Sequence, residues 1–247
     1  MAAISIGASA DARQDGPVLL VLARPPVVGQ VKTRLLQPGP WGRPLRPDEA
    51  TALHLAFVRD VCCAGARSGI AARHLLGAGP DPTGQLAQVA AETGFELGQQ
   101  VQGDLGQRMQ AALEGPLRAG AEAVVLIGSD SPTLPPAHLA EAAEVLHSGH
   151  VDLVLGPALD GGFWCIGARR PCPELLAPGM AWGTKEVLPA MLGRLAQLAE
   201  AGLRSYLLPF WYDVDTPDDL RLLCGELRLR PEAAPATRSV LEELALL

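Results

Sequence analysis

Short apolar runs alternate along this chain with stretches of helical spacing. Pro17 to Ala23 (PVLLVLA) is apolar throughout, which predicts a strand buried on both faces of a parallel sheet. Asp48 to Arg67 sets Leu53, Phe57 and Val61 on one helical face, and Gly69 follows as a stop signal. The same reading predicts a strand over Ile70 to Leu76, a helix over Gly84 to Ala91 and a short strand over Gly94 to Val101. From Asp104 a helix is expected to about Leu117, kinked or ended early by Gly115-Pro116. A second all-apolar strand, Ala123 to Ile127, and a helix from Pro136 to Leu146 complete the alternation.

The pattern then changes. Val151 to Gly156 and Gly162 to Gly167 read as two strands joined by Ala158-Leu159-Asp160-Gly161, an antiparallel or edge addition to the sheet. A helix over Thr184 to Ala201 and a last strand over Arg204 to Pro209 follow. The final long helix, Thr216 to Leu229, opens with Thr216 as N-cap, Pro217 at the first position and acids in the first turn. The expectation is one α/β domain over residues 17–230 with a Rossmann-like, mainly parallel central sheet flanked by helices. Residues 1–16 are expected to form a loose tail, and residues 231–247 a loop and terminal helix.

Composition narrows the function. A net charge of -7 argues against a nucleic-acid surface, so any anion site must be a local basic pocket. No apolar run approaches the ~20 residues of a membrane span, and the N-terminus lacks the apolar core of a signal peptide, so a cytoplasmic protein is expected. Five cysteines without CxxC spacing read as free thiols rather than a zinc or disulfide framework. The chain has 18 Arg but only two Lys, Lys32 and Lys185, which draws attention to where each ammonium falls.

Several constellations carry candidate chemistry. The first strand runs into a basic loop, RPPVVGQVKTR, where Arg24, Lys32 and Arg34 surround Gly29; phosphate requires such cations and the close backbone approach that Gly permits. A Walker A pattern is absent, which disfavours ATPase chemistry. The strand Ala123 to Ile127 stops at Gly128-Ser129-Asp130-Ser131-Pro132, setting Asp130 past its carboxyl end, where open α/β sheets gather ligands. As a segment by itself this is also an ordinary turn. Asp213-Val214-Asp215 follows the last strand, and alternate residues of an extended chain point the same way. If that strand lies near the one ending at Asp130, three acids converge, and a hard cation such as Mg2+ or Mn2+ takes such oxygen ligands, usually one or two carboxylates completed by substrate phosphates and water; Asp215 alternatively caps the following helix. Gly103-Asp104-Leu105-Gly106 offers two glycines at a helix entry. Asp160-Gly161-Gly162-Phe163-Trp164 reads as an acceptor-binding loop or as a turn with core aromatics, and Trp182-Gly183-Thr184-Lys185 as a segment able to close over that acceptor. The five histidines show no ligand spacing and read as ordinary helix and surface residues.

Taken in order, ARPPVVGQVKTRL, QGDLGQRM, LIGSDSPTLP, DGGFW, AWGTKEVL and WYDVDTPDDL resemble a bacterial family of GT-A-like glycosyltransferases, related to molybdenum-cofactor guanylyltransferase and 2-phospholactate guanylyltransferase. The resemblance spans about Val18 to Leu223 and implies a nucleotide-diphospho-sugar transferase fold with a metal at a DxD-like acid. It implies that Arg24, Lys32 and Arg34 hold phosphates, with Gly29 beside them, while Gly103 and Gly106 border the base or ribose. Asp130 and Asp213 would bind the metal, and Asp160, Gly161, Gly162, Trp164, Trp182 and Thr184 would lie on the acceptor side. The chain carries Ser-Asp-Ser rather than a full Asp-x-Asp, so one acid stands there. Asp130, Asp160 and Lys32 are the catalytic candidates. Three activities follow as expectations. The first is metal-dependent glycosyl transfer from a nucleotide sugar to a small acceptor, and the second is nucleotidyl transfer with release of pyrophosphate. The third is nucleotide binding without turnover.

Overall fold

The apolar run at residues 17–23 lies in the interior of the sheet. The structure, a computed structural model, describes residues 16–247; apart from Gly16, the expected N-terminal tail lies outside the described residues. Strands β1 (Pro17–Ala23), β2 (Ala72–Gly77), β3 (Glu96–Gln99), β4 (Ala123–Gly128), β5 (Leu153–Pro157), β6 (Phe163–Ala168) and β7 (Ser205–Leu207) form a seven-stranded sheet of order β3-β2-β1-β4-β6-β5-β7. Helices α1 (Pro47–Arg67), α2 (Gln85–Thr93), α3 (Leu105–Arg118), α4 (Pro136–His147), α5 (Val187–Glu200), α6 (Pro217–Leu229) and α7 (Pro235–Glu243) surround it. The fold is the expected α/β arrangement with a mainly parallel sheet.

Alternation along the central strands explains why they are apolar at every position. Leu19 and Val21 of β1 join a core with Val58 and Val61 of α1 and Leu139 of α4. Val18 and Leu20 join the opposite core with Met109 of α3 and Met191 of α5. With both faces covered, no position can be polar without losing burial free energy. A third cluster holds Leu53 and Phe57 of α1 with Leu220 and Leu223 of α6 and Leu241 of α7, so the C-terminal segment is packed into the fold.

Strand direction positions the site. β1 pairs in parallel with β2 on one side and β4 on the other, so the chain order reverses between β1 and β4 and opens a crevice at their carboxyl ends. β6 is antiparallel to both β4 and β5, and β7 is parallel to β5. Hence β1, β4, β5 and β7 all end at one edge, which delivers the basic loop, Asp130, Asp160 and Asp213 to the same side.

Several expectations need correction. For the pair β5–β6 the antiparallel alternative holds and the edge alternative does not, because β6 runs antiparallel between β4 and β5 inside the sheet. Pro116 lies within α3 without ending it at once: the helix runs two residues further, to Arg118, although the ring removes one i→i−4 donor. α5 begins at Val187 rather than Thr184, because the Thr184 hydroxyl accepts from the Glu186 N–H and forms a turn instead. β7 is confined to Ser205–Leu207.

Candidate functional site

A cavity of about 690 Å³ opens at the carboxyl edge, a size suited to a small-molecule ligand. Arg24, Lys32, Arg34 and Arg108 line it together with Asp130, Asp160, Asp213 and Asp215. Gly162, Trp164, Trp182 and Thr184 also line the cavity, whereas Gly29, Gly103, Gly106 and Gly161 do not.

The acids meet by a route the strand order alone does not predict. β7 is separated from β4 by β5 and β6, but the segment after it runs back across their ends. Leu208 N–H donates to Leu155 at 2.9 Å, Trp211 N–H to Pro157 at 3.2 Å, and Val214 N–H to the Asp130 carbonyl at 2.9 Å. That last bond joins the Asp213-Val214-Asp215 segment to the turn after β4. A side-chain cluster reinforces it: Thr133 donates to Glu226 at 2.9 Å, Tyr212 donates to the same carboxylate, and Arg230 donates to it at 2.6 Å. Burial, then the Glu226 carboxylate, pushes the Tyr212 hydroxyl up, so Tyr212 stays a donor.

Lys32 departs most from expectation. Its ammonium lies 2.5 Å from Asp130 Oδ1 and 2.8 Å from Asp215 Oδ1, and donates to the Val214 carbonyl at 2.8 Å. An ammonium has three hydrogens, and three protein acceptors take them. The side chain is 4% exposed, so in this arrangement Lys32 has no donor left for the phosphate expected of it. Burial opposes its charge, but Asp130 and Asp215 outweigh burial and raise its pKa. Burial would likewise raise Asp130, yet the adjacent Lys32 charge holds that carboxyl below its usual range. Lys32 also adopts left-handed backbone angles, φ 47 and ψ 38, a conformation that costs a non-glycine residue about 1–3 kcal/mol.

Asp215 does not cap α6. Thr216 does, while Asp219 accepts from the Asp215 and Thr216 N–H groups, freeing Asp215 for Lys32. Among the described residues no cation is paired with Asp213. Burial, followed by the charges of Asp160, Asp215 and Asp130, pushes its carboxyl up to about 7. Among the described residues no three Asp, Glu, His or Cys side chains form a ready-made metal group.

On the basic side, Arg24 and Arg34 are exposed, and Arg34 comes within 3.6 Å of Asp215. Sequence reasoning missed Arg108 as a wall residue. Its guanidinium donates to Gln100 Oε1 at 3.2 Å, and Gln100 in turn donates to the carbonyls of Ala23 and Leu76, tying Arg108 to the ends of β1 and β2. The spacing of Gln100 and Arg108 around Gly103-Asp104-Leu105-Gly106 was the available signal. His54 was missed as well: it is buried, lines the cavity and donates from Nε2 to the Arg24 carbonyl at 2.9 Å. Nothing in the helical pattern marks it. His74 is also buried, so neither is a surface residue.

The glycines act through packing. A Cβ at Gly103 would lie 2.5 Å from Gln107 Oε1, the group that reaches back to the Asp104 N–H and closes the α3 capping box. A Cβ at Gly106 would lie 3.1 Å from the Trp182 indole, and one at Gly161 2.8 Å from Lys185 Cα. Gly29, at φ 78, serves the turn of the basic loop. Trp164 is a core aromatic whose Nε1 donates to Pro209 at 3.1 Å, and Gly156 makes room for its ring. Trp182 instead packs edge-on to Phe163, 6.3 Å between centroids, and bridges the entry of α3 to the start of β6. Asp160 Oδ1 accepts from the Gly162 N–H at 2.7 Å and is held at the tip of its turn. All five cysteines are free. No helix of the described residues is long and apolar enough to cross a membrane.

With this geometry in view, residues 62–184 match a family described as "Uncharacterized protein conserved in bacteria (DUF2064)". A structure titled a "putative nucleotide-diphospho-sugar transferase" from Desulfovibrio desulfuricans G20 is 30% identical, with a TM-score of 0.76 over 92% of this chain and 94% of that one. The chain belongs to the DUF2064 family. The fold extends further. A cytidylyltransferase from Leptospira borgpetersenii superposes with a TM-score of 0.55 at 12% identity, covering 93% of this chain and 95% of that one. A 4-diphosphocytidyl-2C-methyl-D-erythritol synthase from Anaerococcus prevotii does so at 0.53 and 11%, covering 88% and 99%. Among curated proteins, none matches in sequence. For this DUF2064 chain, the relatives at 11% and 12% identity establish shared architecture alone.

Proposed function

We propose that this protein is a transferase that takes a nucleotide-activated donor, and that it moves a glycosyl group from a nucleoside-diphosphate sugar to the hydroxyl of a small acceptor. The observation that carries the reading is the division of one cavity into a basic flank, Arg24, Arg34 and Arg108, and an acidic flank, Asp130, Asp160 and Asp213. A diphosphate suits the first, and a hydroxyl-rich group suits the second. The 30%-identical relative described as a nucleotide-diphospho-sugar transferase points the same way.

The acidic flank fits a hard divalent cation such as Mg2+ or Mn2+. Asp130 spends one oxygen on Lys32, and Asp213 has Asp160, Asp215 and Asp130 as charged neighbours. Two carboxylates completed by donor phosphate oxygens are what such ions take. When bound, the cation would neutralise charge on the departing diphosphate.

The chain's own residues supply the rest. Arg24, Arg34 and Arg108 bind the phosphates and stabilise the charge left on them as the sugar–oxygen bond breaks. Asp160, oriented by the Gly162 N–H, accepts the proton of the acceptor hydroxyl while that oxygen bonds to the sugar carbon. Trp182 and Phe163 provide an apolar wall that excludes water from the acceptor.

The same guanidinium groups suit a triphosphate, so nucleotidyl transfer is the second reading. A thermal-shift panel of nucleoside di- and triphosphates and nucleotide sugars, each with and without Mn2+, identifies the donor through linkage to folding. Product analysis then decides: glycosyl transfer releases a nucleoside diphosphate, and nucleotidyl transfer releases pyrophosphate. Binding without either product would leave a nucleotide-binding protein, and no binding would overturn the proposal.

A further inference from the structure

We propose that Lys32 is a resident counter-ion lodged between Asp130 and Asp215 in the free protein, so that a divalent cation joins the adjoining Asp130–Asp213 side only with the donor's phosphates. The inference rests on the donor reading above and assigns Lys32 a role different from phosphate contact.

Three observations carry it. First, the ammonium is saturated by Asp130 Oδ1, Asp215 Oδ1 and the Val214 carbonyl, each 2.5 to 2.8 Å away. Second, its side chain is 4% exposed while that of Asp130 is 43% exposed, so at the cavity wall the carboxylate is far more open to a ligand than the ammonium. Third, its backbone is held in the left-handed region, and the 3-10 turn that follows, Thr33–Leu36, anchors it through buried Leu35. A lysine meant to follow a phosphate would be better served by a mobile stem; this one is locked.

The consequence concerns metal binding. With a positive charge already between two carboxylates, a bare Mn2+ meets an acidic flank whose charge is partly cancelled. A donor diphosphate adds negative charge on the other side and restores the attraction. The lysine therefore couples metal entry to donor entry and keeps the free protein from gathering metal.

The test uses the full chain and Mn2+ alone, with free Mn2+ read by electron paramagnetic resonance. Wild type should bind weakly, Lys32→Met about tenfold or more tightly, the scale expected for one charge within a few ångströms, and Lys32→Arg like wild type. Asp215→Asn combined with Lys32→Met should cancel the gain. Equal or weaker Mn2+ binding by Lys32→Met would overturn the proposal.

Should Lys32→Met fail to fold, the wild-type protein gives the same answer. With only two lysines in the chain, Nζ resonances are readily assigned by comparison with Lys185→Arg. The Lys32 ammonium should be protected from exchange and unmoved by inorganic pyrophosphate without metal. A direct shift on adding pyrophosphate would make Lys32 a phosphate ligand and sink the counter-ion role. Failure of donor binding with the Lys32→Met effect intact would count against the transferase reading instead, so the two ideas fail separately.

Discussion

The two flanks of the cavity hold their charges in opposite ways. Arg24 and Arg34 project from a loop into solvent, and Arg34 approaches Asp215 at 3.6 Å. The acids are tied down: Val214 is bonded to the Asp130 carbonyl, Lys32 bridges Asp130 to Asp215, and Tyr212 and Thr133 converge on Glu226 behind them. Solvated cations are stable without partners and gain theirs when an anion arrives. Carboxylates crowded at a sheet edge repel one another, and burial makes that worse, so they stay together only if the backbone and a counter-ion hold them. On the proposed reading, one flank adapts to its ligand and the other is preorganised for it.

The largest test of that contrast is Asp130→Asn, which keeps the shape and removes the charge that Lys32 would share with the proposed divalent cation. Mn2+-dependent donor binding should be abolished in calorimetry, with the circular dichroism spectrum retained because Lys32 still has Asp215 and Val214. Undiminished binding would remove the acidic flank from the mechanism.

On the basic flank, Arg108→Ala and Arg34→Ala should each weaken donor binding about ten- to a hundredfold, the worth of one charge-assisted hydrogen bond of about 1.5–3 kcal/mol. Raising the salt should weaken wild type and narrow the gap to Arg34→Ala more than to Arg108→Ala. Arg34 is 60% exposed and easily screened, whereas Arg108 is braced by Gln100. Equal salt responses would mean the flank is uniformly solvated.

The elements of this fold were legible because periodicity is local. Pro17–Ala23 is bounded as the sequence implied, and Thr216-Pro217 opens α6 as its capping chemistry requires. The sequence also brought Asp130, Asp160 and Asp213 into view as acids after strands. It did not reveal that Lys32 belongs with the acids, because that contact joins residues 182 and 183 positions apart through a segment crossing three strand ends. Arg108 and His54 were hidden for a related reason. Each sits on an ordinary helical face, and only the stacking of α3 and α1 on the sheet turns that face toward the cavity.

A smaller effect should appear in pH dependence. The Asp213 carboxyl rises from the ordinary 3.8 to about 7 in the folded protein, so its protonated form favours folding. That contribution is present below about pH 4 and is lost as pH rises toward 7. Without metal, wild-type stability should therefore decline across this window relative to Asp213→Asn, measured by urea denaturation at several pH values. Parallel pH profiles would show that Asp213 is not crowded by its neighbours. On the basic flank, Arg34→Ala should leave the profile unchanged.

The smallest expected effect probes the bracing itself. Tyr212→Phe deletes one hydroxyl from the cluster on Glu226, which keeps Thr133 and Arg230 as donors, so the loss of stability should be about 0.5–1.5 kcal/mol. If the cluster serves to preorganise the acids, the same substitution should also raise the Mn2+ concentration needed for half-maximal donor binding, while leaving metal-free phosphate affinity on the arginine side untouched. Loss of stability with no change in metal requirement would mean that Lys32 and the Val214–Asp130 bond suffice to hold the flank, and that Tyr212 braces α6 alone.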